Sequence, residues 1–547
     1  MKQFIKKHKE ILAVSCIFLV GMVLRCLLFG QIPSGVNQDE AMGAVDALAL
    51  ARYGTDRFGV YHPVHLQAWG YSQMSAGLSY LQAFFIKLFG FSVITIRLPL
   101  LISSAVSFLL FYFIGKKTDD KKLGILSLAL CAVNPWHFMQ SRWSMDCNLF
   151  PHFFMVGLFL LFLGVDSLPL LLLSMIFFGL TFYCYGIAIY SVPLFLLACF
   201  IWLLANKKIN VLKTLSCVAV FMVTALPEII VMWINSRGLN TLTTRLFTFQ
   251  YFSESVRKND LLFMNFSFHD LIANLWSFVK TAFLQLPGAA YNAPPQFGPC
   301  YHISLFFIII GLVHLFRMVF QKEKSEKKWP YFALLCYFFT CVFIGAVTRD
   351  VNVNRINIIF PLLIILTGMG IIQTVSFAGK LFSGRFHLKK IAAIGVLLAY
   401  SALSVWFFRY YFFIFPGKVN NIVYYNDYLQ SIKEADSLEG YDVVFISCFT
   451  GEGANLGTTE ILTNFICEHD AHYLQGITDV NNGRRLLPYR ERYRYFYSWE
   501  TDEGQLLSEI SPAKSIWLVH GGEMDLIEGD FSVVKDLGNN FYLLTCN

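Results

Sequence analysis

Charge is what this 547-residue chain has least of. Asp, Glu, Lys and Arg make up 14% of it, against about 25% in a soluble domain. With hydrophobic residues at 56%, a fully solvated globular surface is excluded, and the composition reads as that of an integral membrane protein. Several motifs are absent as well. No C-x-x-C or comparable metal-ligand spacing occurs. There is no P-loop, no G-x-G-x-x-G turn before a helix, no internal repeat and no low-complexity tract. Chemistry driven by a bound nucleotide therefore has no carrier here. Of the 13 cysteines, most (Cys16, Cys131, Cys199, Cys217, Cys336) lie inside apolar runs, where they act as small hydrophobes. Cys448, Cys467 and Cys546 lie in the tail, and one pair among them is a candidate bridge. The net charge of +7 is no nucleic-acid signal, because the basic residues fall in short clusters between apolar runs. The first run, Ile11 to Gly30, is too long for a signal-peptide core and lacks a small-residue cleavage site, so it is expected to be a retained helix.

What is abundant is apolar length. A span needs roughly 20 apolar residues, and runs of that kind are expected near 11–30, 93–115, 123–140, 149–166, 168–185, 187–205, 211–235, 301–320, 330–348, 356–377 and 391–415, about eleven helices. Lysine and arginine give the orientation. The clusters at Lys2 to Lys9, Lys116 to Lys122, Lys207/Lys208, Lys322 to Lys328 and Lys380 to Lys390 all fall on one side of that arrangement, which the positive-inside rule makes cytoplasmic, with the C-terminal region outside.

The outer side then receives three long pieces. Loop 31–92 is expected to carry two helices lying along the membrane interface, at 40–52 and from Met74 to Leu88. Loop 236–300 is polar and ends in a Pro/Gly-rich stretch from Tyr291. The tail, 416–547, opens with a polar helical run, Asn421 to Leu438. Strand-like runs follow at Asp442–Ser447, Ser515–His520 and Phe541–Thr545, the pattern of a small α/β domain. The chain thus divides into a helical membrane domain, 1–415, and an extracytoplasmic α/β domain, 416–547.

Ionisable groups gather at the outer edge. Asp39 and Glu40 follow the first span. Arg142 and Asp146 flank Trp143 in a short loop, and Arg349 and Arg355 stand in another. Charges at the hydrocarbon edge are costly unless they pair or meet a polar substrate. Each also has an ordinary explanation. Asp39 suits the N-cap of the helix at 40–52, Asp146 an i to i+4 pair with Arg142, and Arg355 a snorkelling anchor. Their coincidence on one face favours chemistry. A carboxylate takes a proton from an acceptor hydroxyl, and an arginine fork holds a departing phosphate. Glycosyl transfer from a polyprenyl phosphate-sugar meets these demands without a nucleotide. A transporter or flippase for such a lipid would instead place its polar groups near the midplane, and a membrane scaffold leaves the charges unexplained. Trp136 and Trp143 suit interface anchors, and His302 beside Tyr301 an interfacial residue. Trp143, Tyr291 and His302 are the expected walls of a substrate pocket.

Asp39-Glu40 followed by Ala41, Ala44, Ala47, Leu50 and Gly54 resembles the first outer loop of GT-C glycosyltransferases of the protein O-mannosyltransferase and lipid A aminoarabinose transferase type. So do Phe84-x-x-Lys87-Leu88-Phe89-Gly90 with Ile96-Arg97-Leu98-Pro99, and Asn134-Pro135-Trp136, and the likeness runs over roughly residues 10–375. It implies inversion at the anomeric carbon, an undecaprenyl phosphate-sugar donor, and an envelope glycan, lipid or protein acceptor. It also implies Asp39 as base, Glu40 as the residue that positions it or the acceptor, and Asp146 as a second acidic group. Arg355 would hold the donor phosphate, with Arg349 or Arg142 as a further contact. The family usually has more tyrosine after that arginine, where Ile356 follows here. No WWDYG-like acceptor motif is present in the tail. No cofactor follows from these residues, and relatives both with and without a metal leave a divalent ion open.

Overall fold

Apolar runs become helices wherever a cap or a proline sets their ends. The computed structural model describes residues 2–69, 72–253, 261–289, 291–321, 328–381, 386–451, 453–498, 514–527 and 531–546. Its helices up to the tail are α1 (Lys2–Cys26), α2 (Gln38–Tyr53), α3 (Gly77–Phe89), α4 (Val93–Thr118), α5 (Lys121–Ala132), α6 (Pro135–Gln140), α7 (Leu149–Gly164), α8 (Leu168–Leu180), α9 (Ala188–Ala205), α10 (Val211–Arg237), α11 (Phe268–Ala282), α12 (Ser304–Phe320), α13 (Lys328–Val347), α14 (Ile359–Leu381) and α15 (Phe386–Phe413).

Among the described residues, seven helical segments are long and apolar enough to cross a membrane: α4, Asp146–Gly164, α9, α10, α13, Ile359–Gly379 and Leu388–Phe413. The other four expected spans are helical too, but α5, α8 and α12 are shorter than a full crossing. The expected 123–140 span is broken in two because Asn134 caps a new helix, its Oδ1 accepting from His137 N at 2.9 Å, with Pro135 at the first helical position. Of the basic clusters, those at 116–122 and 207–208 sit in the α4–α5 and α9–α10 turns. Lys322, Lys324, Lys327 and Arg385 lie outside the described residues.

The bundle core is aromatic. Phe154 of α7 meets Phe178 of α8 at 5.3 Å between ring centres, Phe195 of α9 at 5.1 Å and Tyr337 of α13 at 4.6 Å. The α12–α14 contact depends on small residues, as in many membrane helix pairs. A Cβ on Gly311 would lie 2.0 Å from the Leu366 carbonyl oxygen, and one on Gly370 1.9 Å from that of Phe307.

The loop helices differ from expectation in an instructive way. The helix expected at 40–52 forms as α2, yet it does not lie on the interface, since residues 40 to 50 are all buried. Alanines at 41, 44, 47 and 49 let α3 and the tail domain pack against it. The run from Met74 begins instead as a hairpin of β1 (His65–Ala68) and β2 (Ser72–Ser75), and only then becomes α3. α3 keeps Phe84, Leu88 and Phe89 exposed, and α11 exposes Phe268, Ile272 and Trp276 at four-residue spacing, the stripe of a helix facing lipid. A two-residue ladder, β3 (Leu242–Thr243) with β4 (Thr248–Phe249), joins this region to the first loop through Thr248.

After the short α16 (Phe415–Val419), the tail folds as α17 (Asn426–Ser437), β5 (Val443–Ser447), α18 (Leu456–Ile466), the small ladder β6 (Val480–Asn481) and β7 (Arg484–Arg485), then β8 (Tyr493–Phe496), β9 (Ser515–His520), β10 (Phe531–Asp536) and β11 (Phe541–Cys546). The sheet order is β10-β11-β9-β5-β8, with β5 parallel to β8 and β9, and β11 antiparallel to β9 and β10. The three expected strands are β5, β9 and β11. β8 and β10 were not anticipated. Cys448 and Cys467 are free thiols, so no pair among the three tail cysteines is bridged. One hydrophobic cluster unites Ala41, Val45 and Leu48 of α2 with Leu429, Ile461 and Leu462 of the tail. Asp470 adds polar ties, accepting from Arg52 at 3.0 Å and from the Tyr53 hydroxyl at 2.6 Å.

Candidate active site

α2 starts under an unusual amount of control. Its cap is Asn37, not Asp39: the Asn37 Oδ1 accepts from Asp39 N at 3.0 Å, and the Glu40 carboxylate accepts from Asn37 N at 3.4 Å, a reciprocal capping box. Neighbouring side chains on a helix point about 100° apart, so Asp39 and Glu40 serve different surroundings. Glu40 is buried and turned inward. Its Oε1 and Oε2 take the Arg97 Nε and Nη2 at 2.7 and 2.8 Å, and Oε1 also accepts from Ser144 N at 2.8 Å. Glu40 thereby fastens the start of α2 both to α4 and to the loop that carries Asp146.

Asp39 faces the other way, into a cavity of about 710 Å³. Asp146 and Arg355 line the same cavity, with Tyr291, Asn352 and Asn354. Three chain segments far apart in sequence thus bring two carboxylates and a guanidinium to one hollow. The floor is tied together by amides. Asn357 Nδ2 donates to the Cys147 carbonyl at 2.6 Å, joining the Arg355 segment to the Asp146 segment. Trp143 Nε1 donates to Asn292 Oδ1 at 2.8 Å, Asn292 donates to Asn354, and Asn354 Nδ2 donates to the Tyr291 hydroxyl at 3.3 Å. Asn352 Oδ1 accepts from the backbone N–H of Asn354 and Arg355, at 3.0 and 3.2 Å, and Arg355 Nη1 donates to the Arg349 carbonyl at 2.7 Å. Burial, with the nearby Cys147 and Asp39, pushes the Tyr291 phenol upward, which keeps it a neutral hydroxyl beside the carboxylate. Ile187, Ile189 and Tyr190 of the α9 start and Val231 and Met232 of α10 give one side an apolar wall.

The remaining expected site residues stand elsewhere. Arg142 is buried at the end of α1, where it donates to the carbonyls of Arg25 (2.6 Å), Leu27 (2.8 Å) and Leu28 (2.9 Å) and to the Tyr411 hydroxyl (3.0 Å). It satisfies carbonyls that a helix end leaves open, which turns it away from Asp146. Arg349 contacts the Asp270 carboxylate at 3.3 Å and the Asn265 carbonyl at 3.1 Å. Only its backbone serves Arg355. Trp143 is fully buried behind Tyr291, an edge-on ring at 5.7 Å. His302 is exposed, its Nε2 2.9 Å from the Pro295 carbonyl oxygen. Neither of these two lines the cavity.

One wall residue, and the buried carboxylate behind it, carry no mark in the sequence motifs. His65 lines the cavity, and its Nε2 lies 2.6 Å from Oε2 of the buried Glu228, while Nδ1 lies 3.3 Å from the Met74 carbonyl oxygen. The contact ties the first loop to α10. The available signal was Glu228 itself, a carboxylate deep in the apolar α10 and a functional pointer by position alone. Among the described residues no group of three or more His, Cys, Asp or Glu is placed to hold a metal ion.

Residues 75–233 match the family model of dolichyl-phosphate-mannose-protein mannosyltransferases. Comparison with curated proteins gives no match. Among solved structures, the chain is similar to ArnT from Cupriavidus metallidurans in the apo state, with TM-score 0.56, 10% identity and coverage of 98% of this chain and 97% of that one. ArnT bound to undecaprenyl phosphate gives TM-score 0.53 at the same identity and coverage. The archaeal oligosaccharyltransferase AglB from Archaeoglobus fulgidus, in complex with an inhibitory peptide and a dolichol-phosphate, gives 0.51 at 13% identity, over 94% of this chain and 70% of that one. At such identities the likeness is one of fold. The chain is a multi-pass membrane protein with the GT-C fold, as its first-loop motifs suggested.

Proposed function

We propose that this GT-C-fold membrane protein is an inverting glycosyltransferase that moves a sugar from a polyprenyl phosphate carrier, undecaprenyl phosphate in a bacterium, to a cell-envelope acceptor on the outer face of the membrane. The observation that carries this reading is the shared cavity of Asp39, Asp146 and Arg355. Asp39 takes the proton of the acceptor hydroxyl. The acceptor oxygen attacks the anomeric carbon, and the bond from that carbon to the phosphate oxygen breaks. Its electron pair leaves with the polyprenyl phosphate. Arg355 meets the charge that grows there, with its backbone fixed by the Asn352 turn and its fork held by the Arg349 carbonyl. Asp146 orients the acceptor or the sugar from the opposite segment. The apolar wall from α9 and α10 suits the first units of a polyprenyl chain. Similar proteins hold undecaprenyl phosphate and dolichol phosphate, which supports a carrier of that chemistry.

Mass spectrometry of envelope glycans and polyprenyl phosphate-sugars, with and without this protein, tests the reading. Loss of the protein should leave donor accumulated and one glycosyl substituent missing. A lipid-linked sugar that fails to reach the outer leaflet, with the transfer step intact in broken membranes, would point to a transporter instead.

A further inference from the structure

A second cleft, of about 860 Å³, lies between the first loop and the tail domain, away from the carboxylates. Arg57 and Trp69 line it from the loop side, and Glu460, Gln475, Tyr489 and Arg490 from the tail. A smaller hollow of about 420 Å³ adjoins it, lined by Gln38, Trp69, Asn455, Gly457 and Thr458. Trp69 and Gly457 line both. Both spaces reach toward the catalytic end of α2. Gln38 precedes Asp39 in sequence, and Met42, one turn further along the helix, lines the cleft and the catalytic cavity alike. A chain lying across Trp69 and round the start of α2 would therefore arrive beside Asp39.

The chemistry of the lining narrows the occupant. Arg57 is already committed, paired with the buried Asp46 and donating to the Gln67 carbonyl at 2.7 Å. The remaining charges, Glu460 and Arg490, are both exposed and opposite in sign, so the cleft offers no excess cation to a polyanion. Its polar surface otherwise comes from the Gln475 and Asn464 carboxamides and the Tyr489 hydroxyl, groups that both donate and accept, as sugar hydroxyls do. The apolar surface combines Trp69 and Phe58 with aliphatic side chains such as Ile461, Leu474 and Ile477. Trp69 stands at φ +53°, a conformation rare for so bulky a residue. It leaves one edge of the indole on Gly457, where an added Cβ would make only ordinary contact at 3.4 Å.

We propose that this cleft binds an extended neutral saccharide, the acceptor chain of the transfer described above, with Trp69 as the surface on which a sugar ring stacks. The inference rests on the glycosyltransferase reading for its purpose, but its binding chemistry is separate from the carboxylates.

The test uses the full-length chain in nanodiscs on an array of neutral oligosaccharides, disaccharides through octasaccharides, with polyanionic glycans and peptides beside them. Neutral oligosaccharides should be retained, more strongly with length. Trp69→Ala should weaken retention by about tenfold or more, and Trp69→Phe should restore most of it. Gly457→Gln, which fills the cleft instead of emptying it, should weaken retention equally with an unchanged melting temperature. Retention only of peptides or polyanions overturns the proposal. So does wild-type retention in both Trp69→Ala and Gly457→Gln. Release of polyprenyl phosphate, followed on the same preparation, separates the two readings. An Asp39→Asn chain that loses turnover and keeps array binding supports both. A wild type that binds the array but never turns over donor refutes the enzyme reading, and one that turns over donor without retaining any saccharide refutes the cleft.

Discussion

Asp39 and Glu40 are adjacent, chemically alike, and do opposite work. Asp39 faces the cavity, while Glu40 is spent on Arg97 and Ser144 in the interior. Removing one partner of a buried pair costs about 3 kcal/mol or more. Glu40→Gln should therefore lower the melting temperature clearly, whereas Asp39→Asn should leave it in place and reduce turnover at least about a thousandfold. Thermal melts and single-turnover transfer on the same two variants check this, and equal melting temperatures would refute the division of labour. The arginines part in the same way. Arg355→Lys keeps the charge but loses the planar fork, so its donor KM should rise by about tenfold with stability retained. Arg142→Lys should do the reverse, because its fork closes the end of α1; a donor KM that moved with Arg142 would return it to the site.

At the scale of the element, α2 is the support on which the site turns. Just past its C-terminal end, Asp56 Oδ1 accepts from the N–H groups of Phe58 and Val60, both at 2.9 Å. Burial, and then the charge of Asp46, push the Asp56 carboxyl up to about 7. The sign follows from proton binding. The folded loop holds a proton on Asp56 that the unfolded chain gives up near pH 4, so this group's stabilising contribution is full below that value and is lost as pH rises toward 7. Melting temperatures across pH 4 to 7 should fall more steeply in the native chain than in Asp56→Asn, and parallel curves would refute the assignment. The elements also show where sequence patterns mislead. The segment 40–52, with Glu40, Asp46 and Arg52 among apolar residues, reads as an amphipathic helix along the interface. The tail domain packs on α2 through Ala41, Val45 and Leu48, while Glu40 is taken up by Arg97 and Asp46 by Arg57 across the turn. A burial supplied by residues some four hundred positions away leaves no local mark.

For the whole molecule, the tail is part of the site's foundation. It shares a core with α2, holds Gln38 through the Tyr425 hydroxyl at 2.7 Å and accepts an Asn37 hydrogen bond at the Val423 carbonyl, 3.0 Å away. Truncation after Pro416 should abolish transfer and expose α2 to proteolysis. A truncated chain of full activity would reduce the tail to an appendage. Much of the lining of the candidate site was nonetheless legible. Asp39, Asp146 and Arg355 could be picked out because charge is so rare here that each exception needs a reason. Arg142 and Arg349 satisfied the same test for a different reason, since a guanidinium is as useful for closing helix ends as for holding phosphate. His65 stayed hidden because a single histidine in a polar loop carries no pattern.

By itself the sequence determined the apolar surroundings and the approximate positions of the helices, because these follow from composition and apolar length. Only the tertiary structure decided which charges meet a cavity and which serve the scaffold. That choice depends on the direction of each side chain, and on partners such as Arg97 for Glu40 and the α1 carbonyls for Arg142, which become neighbours only when distant segments pack.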